Sequence, residues 1–277
     1  MACSVADCAA LLGAIAGTDP LDPATLANKG GTIDYLKALD RGALAGARLG
    51  LVRSAYTGLE AVDALIDRAV TRLKNMGATI VDPVELPDAK RYADAELDVL
   101  RTELKVGLNE YLPQFAPGAA VRTLADVIAF NEREHERELR LFSQDLFVKA
   151  QAKGGLGEPA YLEALALCRR LAREEGIDRA LSEHRLDALI APTGGPAWLT
   201  DLVDGDNPGA SFSTPAAVAG YPHITVPAGF VAGLPIGLSF VGSAFSEAKL
   251  IGYAYAYEQA THHRRAPAFS KSASLKL

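Results

Sequence analysis

The sequence is short of cysteine, has no long apolar run and carries no excess of basic residues, and each shortage excludes a class of protein. Its three cysteines, at positions 3, 8 and 168, form no CxxC pair, so neither a disulfide framework nor a zinc site is indicated. No segment approaches the roughly 20 apolar residues that span a bilayer, and the first residues lack the basic flank of a signal peptide. With 34 acidic and 28 basic residues, little positive charge is left to neutralise phosphates. We therefore expect a cytoplasmic protein with neither a membrane nor a nucleic-acid partner.

The common catalytic and cofactor motifs are also missing. The run His135–Leu139 begins like HExxH but ends on leucine where the second zinc ligand is needed. No GxSxG nucleophile elbow is present. Glycines 154, 155 and 157 have neither Rossmann nor Walker spacing. We expect no metal and no cofactor.

Three capping boxes predict where helices begin. They start at Ser4, Thr57 and Thr123, each followed three residues later by an acidic residue. The first helix is expected to end near Gly17. Residues 94–176 look mainly helical.

Strand patterns indicate a sheet built around a βαβ crossover. Residues 47–52 and 78–81 form predicted strands, separated by a helix with one apolar face and a terminating Gly77. Further strands are predicted at 186–191, 224–230 and 235–241, with prolines at 227 and 235 favouring edges or strand starts. A last helix is expected at 246–260. The fold class is α/β, a mixed, mostly parallel sheet flanked by helices, as a single unit over 1–270 with a tail at 271–277.

Three parts of the chain resemble the amidase-signature family. Residues 1–25 are similar to the segment after the family's catalytic region, and 47–86 resemble its next βαβ unit. Residues 186–196 read LDALIAPTGGP, and 233–242 read GLPIGLSFVG, close to the family's strand and glycine patterns. Tyr221, His223 and the neighbouring Ala217–Val218 look most like enzymes that act on peptide or simple carboxamides. The resemblance implies the C-terminal part of that fold.

The resemblance implies a reaction whose reactive groups this sequence does not supply. Family members hydrolyse amide C–N bonds with a Ser–cis-Ser–Lys triad, whose serines lie in and beside a Gly/Ser-rich loop. No such loop occurs here, and no lysine matches the family's context, so no catalytic residue is assigned. An amide yields only to an activated nucleophile with a stabilised oxyanion. We expect the chain alone to be inactive.

The resemblance also implies a substrate-pocket wall. Its candidate residues, at a strand end and before the following helix, are Ser211, Phe212, Ser213, Thr193, Gly194, Gly195 and His223. An equally open interpretation is that the glycines shape a turn and the serines cap the next helix. For His223 a structural role is the alternative, and a third interpretation pairs it with Ser211 or Ser213 in an independent site.

Two functional hypotheses follow from the missing triad. In the first, the chain is half of an amidase and takes a small amide substrate only when an N-terminal catalytic segment completes it. In the second, it is a truncated, non-catalytic binding or assembly module. Half a sheet leaves an unpaired edge and apolar surface, so self-association, for example as a dimer, is expected.

Overall fold

The structure is a computed structural model that describes residues 1–28, 33–203, 205–206 and 209–269. Contacts divide these residues into two compact units. The sheet unit consists mainly of residues 1–87, 172–200 and 205–269, and the helical unit mainly of 88–171. A division by contacts does not show that either unit folds alone, so the single-domain interpretation of 1–270 stays a prediction. The expected tail at 271–277 lies outside the described residues.

The sheet unit is built on five strands. They are β1 (Arg48–Leu51), β2 (Thr79–Val81), β3 (Ala188–Pro192), β4 (His223–Val231) and β5 (Leu234–Val241). Their order is β2-β1-β3-β5-β4, with β1 parallel to β2 and β3, and β5 antiparallel to β3 and β4. The α/β class, the mixed sheet and the parallel crossover at Gly77 are confirmed. The prolines also lie as expected: Pro227 in the outer strand β4, and Pro235 at the start of β5.

Some helices flank the sheet within the sheet unit, and others make up the helical unit. The α-helices are α1 (Val5–Ile15), α2 (Glu60–Asn75), α3 (Ala93–Phe115), α4 (Leu124–Arg133), α5 (His135–Glu138), α6 (Asp145–Gln151), α7 (Pro159–Arg169), α8 (Asp178–Glu183), α9 (Ser213–Ala219) and α10 (Glu247–Thr261). Between α7 and α8 the chain makes a π-helical stretch and kinks at Gly176. None of the helices in the described ranges is long and apolar enough to cross a bilayer.

The two faces of the sheet bury different sets of side chains, because neighbours along a strand point to opposite sides. One face carries Leu49, Ile190 and Phe240 and packs against α2 and α10, and α1 packs on α10. The other face carries Leu189 and Val241, which cluster with residues near α9. Burying each large side chain of this kind contributes about 1.5–3 kcal/mol. The predicted site residue Phe212 belongs to the cluster on this second face.

Of the three predicted capping boxes, only the one at Thr123 is complete. At Ser4 the Asp7 carboxylate accepts from the Ser4 hydroxyl at 2.8 Å and not from the backbone, and at Thr57 the prediction is wrong. Ser4 and Thr123 cap α1 and α4 as expected, each accepting a hydrogen bond from the backbone N–H three residues on. Thr57 does not cap α2, which begins at Glu60 after an uncapped Leu59. The Asp63 carboxylate instead accepts from the backbone N–H groups of Thr57 and Gly58 at 2.9 and 3.0 Å. Asp63 lies in the first turn of α2 and satisfies backbone N–H groups of the chain that enters the helix, while the Thr57 hydroxyl accepts from the Leu59 N–H at 3.1 Å.

Ion pairs and hydrogen bonds between distant positions tie the helical unit together. Lys153 Nζ lies 2.6 Å from the Asp98 carboxylate on α3. The Tyr161 hydroxyl of α7 donates to Glu103 of α3 at 2.8 Å. The mainly helical prediction for 94–176 is confirmed.

Candidate functional site

The structure brings the two predicted pocket segments side by side. The backbone of Thr193, Gly194 and Gly195 continues past the end of β3 and pairs with the residues just before α9. The Phe212 N–H donates to the Thr193 carbonyl at 3.0 Å, and the Gly195 N–H donates to the Ala210 carbonyl at 3.1 Å. Gly194 pairs antiparallel with Ser211 in an isolated bridge. A Cβ on Gly194 would lie 3.0 Å from the Ala210 carbonyl oxygen, so glycine permits this close approach.

The two predicted serines present exposed hydroxyls at the start of α9. Their oxygens lie 3.1 Å apart, and the Ser213 N–H reaches the Ser211 hydroxyl at 3.4 Å. Phe212, rather than a serine, stands at the N-cap, where no side-chain bond is made. The capping alternative is therefore limited to the one long contact from Ser211. Both hydroxyls remain on the surface, where a ligand can reach them.

Phe212 differs from the serines on either side because its ring is buried. It is 3% exposed and belongs to the cluster on the second face of the sheet. Its ring lies edge-on to the His223 imidazole, with centroids 6.4 Å apart. Phe212 thus holds the imidazole in place by packing.

Next to these segments, four hydrogen-bonded side chains form a row that joins β4, β5 and the residue after the end of β3. The Thr193 hydroxyl lies 2.6 Å from the Thr225 hydroxyl and 2.8 Å from the Ser239 hydroxyl. Ser239 in turn lies 2.6 Å from His223 Nε2. The order along the row is Thr225, Thr193, Ser239, His223, with Thr225 exposed and Ser239 fully buried. We call these four residues the hydroxyl row.

The strand register explains why these four side chains meet. Ser239 of β5 stands opposite Ala191 of β3 and Thr225 of β4, so all three positions share one face of the sheet. Gly237, two residues earlier on that face, leaves the necessary space. A Cβ there would lie 2.5 Å from the hydroxyl oxygens of both threonines.

Sequence analysis missed Thr225 and Ser239. A signal for Ser239 was present, because a serine inside the apolar strand LPIGLSFV must be buried and therefore hydrogen-bonded. Which partner it takes depends on the antiparallel register of β3, β5 and β4. Local sequence does not fix that register.

His223 is a neutral member of the row at physiological pH. Burial lowers the pKa of its imidazole, because desolvation disfavours the charged form. Its hydrogen bond goes to Ser239, which does not support the interpretation that pairs it with Ser211 or Ser213. The other described histidines lie away from the row, and no group of three or more potential metal ligands occurs in the described part of the chain.

The row can bind polar groups, but it is not equipped to attack an amide. Hydroxyls and a neutral imidazole donate and accept hydrogen bonds, which suits the C=O and N–H of a carboxamide. Its four members include neither a lysine nor a carboxylate that would remove a proton from a hydroxyl. An unactivated hydroxyl is a weak nucleophile.

Comparison with known proteins identifies the class. The amidase family model matches residues 1–251. The chain therefore belongs to the amidase-signature family, as its motifs indicated.

Individual relatives and a solved structure also match the chain. A probable amidase of Arabidopsis thaliana is 35% identical, over 96% of this chain and 48% of its own length. One subunit of the glutamyl-tRNA(Gln) amidotransferase of Azotobacter vinelandii is 32% identical, over 96% of this chain and 56% of its own length. The peptide amidase of Stenotrophomonas maltophilia is 49% identical with a TM-score of 0.87, over 97% of this chain and 54% of its own. The chain spans about half the length of these proteins.

Proposed function

We propose that this chain is the C-terminal half of an amidase that hydrolyses carboxamide C–N bonds, with peptide amides as the substrate class. The observation that carries the proposal is the 49% identity to a peptide amidase over nearly the whole chain, at a TM-score of 0.87. The sequence around Tyr221 and His223 resembles that of enzymes acting on peptide or simple carboxamides, which supports the same substrate class.

The proposed contribution of the chain is the wall of the substrate pocket. Thr193 and Thr225 would offer hydroxyls to the amide, while Ser239 and His223 fix the direction of those hydroxyls from behind. Ser211 and Ser213 add exposed hydroxyls at the adjoining helix start. Gly195, where an added Cβ would meet no atom within 4 Å, would let the substrate backbone approach closely, while Gly194 lets the adjoining 210–211 segment pack beside it. A few well-placed polar groups are typical of small-molecule pockets.

The reactive groups are proposed to come from other polypeptide. Family members use a Ser–cis-Ser–Lys triad whose serines lie in and beside a Gly/Ser-rich loop, and this sequence has no such loop. Positioned nucleophile and oxyanion donors each contribute several powers of ten to an acyl-transfer rate. We therefore propose that the 277 residues alone do not turn over an amide.

The proposed partner surface is the outer strand β4 with the apolar groove beside it. Among the described strands β4 pairs only with β5, which leaves one long edge open. The groove has a volume of about 350 Å³ and is lined by Leu11 and Ile15 of α1 and by Ile224 of β4. Ile15 is 72% exposed. We propose that the complementary amidase segment covers this surface, and that without it two copies associate there.

A location in the cytoplasm is part of the proposal. It is supported by the three free cysteines, Cys3, Cys8 and Cys168, which suit a reducing compartment.

Complementation in trans tests the proposed function. The chain would be co-expressed with the N-terminal half of the Stenotrophomonas maltophilia peptide amidase, and ammonia release from a peptide amide measured. Activity is expected from the pair and from neither half alone. A matched control carries alanine at the serines of the partner's Gly/Ser-rich loop and should be inactive. A soluble, stably associated pair without hydrolysis would contradict the split-enzyme proposal and favour a non-catalytic module.

A further inference from the structure

A second cavity lies on the opposite face of the sheet from the hydroxyl row, between α2, β4 and the end of α10. Its volume is about 550 Å³, within the range of small-molecule sites. The floor is apolar, formed by Leu65, Phe230 and Tyr257. The rim carries three arginines, Arg68, Arg72 and Arg265, together with His263. The described residues that line this cavity include no carboxylate.

Neutral groups, rather than acids, hold two of the three guanidinium groups. Arg72 donates to the backbone carbonyl of Ala260 at 2.9 Å. The Arg265 guanidinium lies 4.6 Å from the centre of the Phe230 ring. Both contacts position the side chain without neutralising its positive charge, and no ion pair joins either arginine to an acidic residue of the described ranges.

Three acidic residues on the neighbouring helices, Asp63, Asp67 and Glu258, are engaged elsewhere. Asp63 accepts from the backbone before α2, and Asp67 accepts from Arg53 and Tyr56. Glu258 of α10 accepts from the Val5 N–H. Arg68 and Arg72 also lie one turn apart on α2, where like charges repel each other. The rim is therefore a local cluster of positive charge, although the chain as a whole carries a net charge of −6.

We propose that this cavity, which we call the arginine cavity, binds a small oxyanion attached to an apolar body, such as an arylalkyl carboxylate. Arg68, Arg72 and Arg265 would hold the anionic group, since guanidinium groups pair with carboxylate oxygens in a fork geometry. The apolar body would rest on the floor of the cavity. Burial and the positive charge of Arg265 lower the pKa of His263, which fits a rim that favours anions. The proposal is independent of the proposed amidase function.

Titration with 4-phenylbutyrate tests the proposal, using backbone NMR shifts and calorimetry on the full chain. Binding should shift the amide signals of residues 228–230 and 261–265, and it should weaken as salt rises. The neutral analogue 4-phenylbutan-1-ol, which lacks the charge, should bind at least about tenfold more weakly, a difference near 1.4 kcal/mol.

Variants separate the arginine cavity from general surface charge. Arg68→Gln keeps most of the side-chain length, and because Arg68 is exposed on α2 this variant should fold. It is expected to weaken 4-phenylbutyrate binding several-fold, and adding R72Q should abolish it. The matched control is Arg91→Gln, at an exposed arginine in the helical unit, which should bind as the unaltered chain does. No binding at millimolar ligand, or equal binding by R68Q and the unaltered chain, would overturn the proposal.

Discussion

At the scale of single residues, Ser239 carries the clearest structural demand. It is fully buried, and its hydroxyl lies within hydrogen-bond distance of both Thr193 and His223. Removing it would leave the imidazole nitrogen of the half-buried His223 without that partner, which costs more than the loss of a fully exposed hydrogen bond.

Ser239→Ala should therefore lower the free energy of unfolding by about 1–3 kcal/mol. Urea denaturation of the purified chain measures this change. Ser213→Ala, which alters an exposed serine of the same neighbourhood, is the matched control and should stay within about 0.5 kcal/mol. Equal stabilities for the two variants would mean that the hydroxyl row is not formed.

His223 makes stability depend on pH in the mildly acidic range. Its pKa in the folded chain is lowered by burial, so below the unfolded value of about 6.5 the unfolded chain binds a proton that the folded chain does not. Stability should therefore fall as the pH drops from about 7 to 5. His223→Gln should reduce this dependence, while the part due to His263, whose pKa is also lowered, should remain. An unchanged pH profile in H223Q would exclude a buried, neutral imidazole.

At the scale of elements, the pattern of apolar residues predicted most strands and helices, because each has one buried face of regular period. The predicted strand 186–191 begins two residues early and ends one residue early, since β3 is Ala188–Pro192. Side-chain hydrogen bonds between elements were not predictable in the same way. The row depends on pairing positions 46 residues apart in sequence, Thr193 with Ser239, and sequence periodicity carries no register between strands.

Gly237 of β5 leaves the space that the hydroxyl row occupies, so replacing it should lower the free energy of unfolding. In Gly237→Ala the new methyl would press on the hydroxyls of Thr193 and Thr225, so we expect a loss of about 1–3 kcal/mol. Gly107→Ala is the contrasting control. It lies within α3, where an added methyl meets no atom within 4 Å, and the change should stabilise the chain by about 0.4–1 kcal/mol. Thermal unfolding should show a lower Tm for Gly237→Ala and a higher Tm for Gly107→Ala than for the unaltered chain. A rise in Tm for both variants would contradict the close packing at Gly237.

At the scale of the whole molecule, the order of family motifs predicted the fold and the family, and both are confirmed. The pocket-wall role of the predicted residues stays a prediction, although the structure does place 193–195 beside 211–213. The arginine cavity had no sequence signal, because Arg265 is far along the chain from Arg68 and Arg72 and only the fold joins them.

Exposed apolar surface at the open sheet edge predicts self-association of the isolated chain. Ile15→Lys would place a charge in the groove and should shift sedimentation from dimer towards monomer. Leu162→Lys, which charges an exposed leucine of the helical unit, is the control and should leave the distribution unchanged. A monomer at all concentrations before any substitution would exclude association through this surface.

We propose that the pocket wall takes its reacting groups from other polypeptide, and ammonia release from a peptide amide by the purified chain alone tests this proposal most directly. We expect release no greater than the buffer blank, at any protein concentration. Release that rises in proportion to the chain, and that disappears in Ser239→Ala or Ser211→Ala prepared in the same way, would show instead that these residues hydrolyse amides unaided.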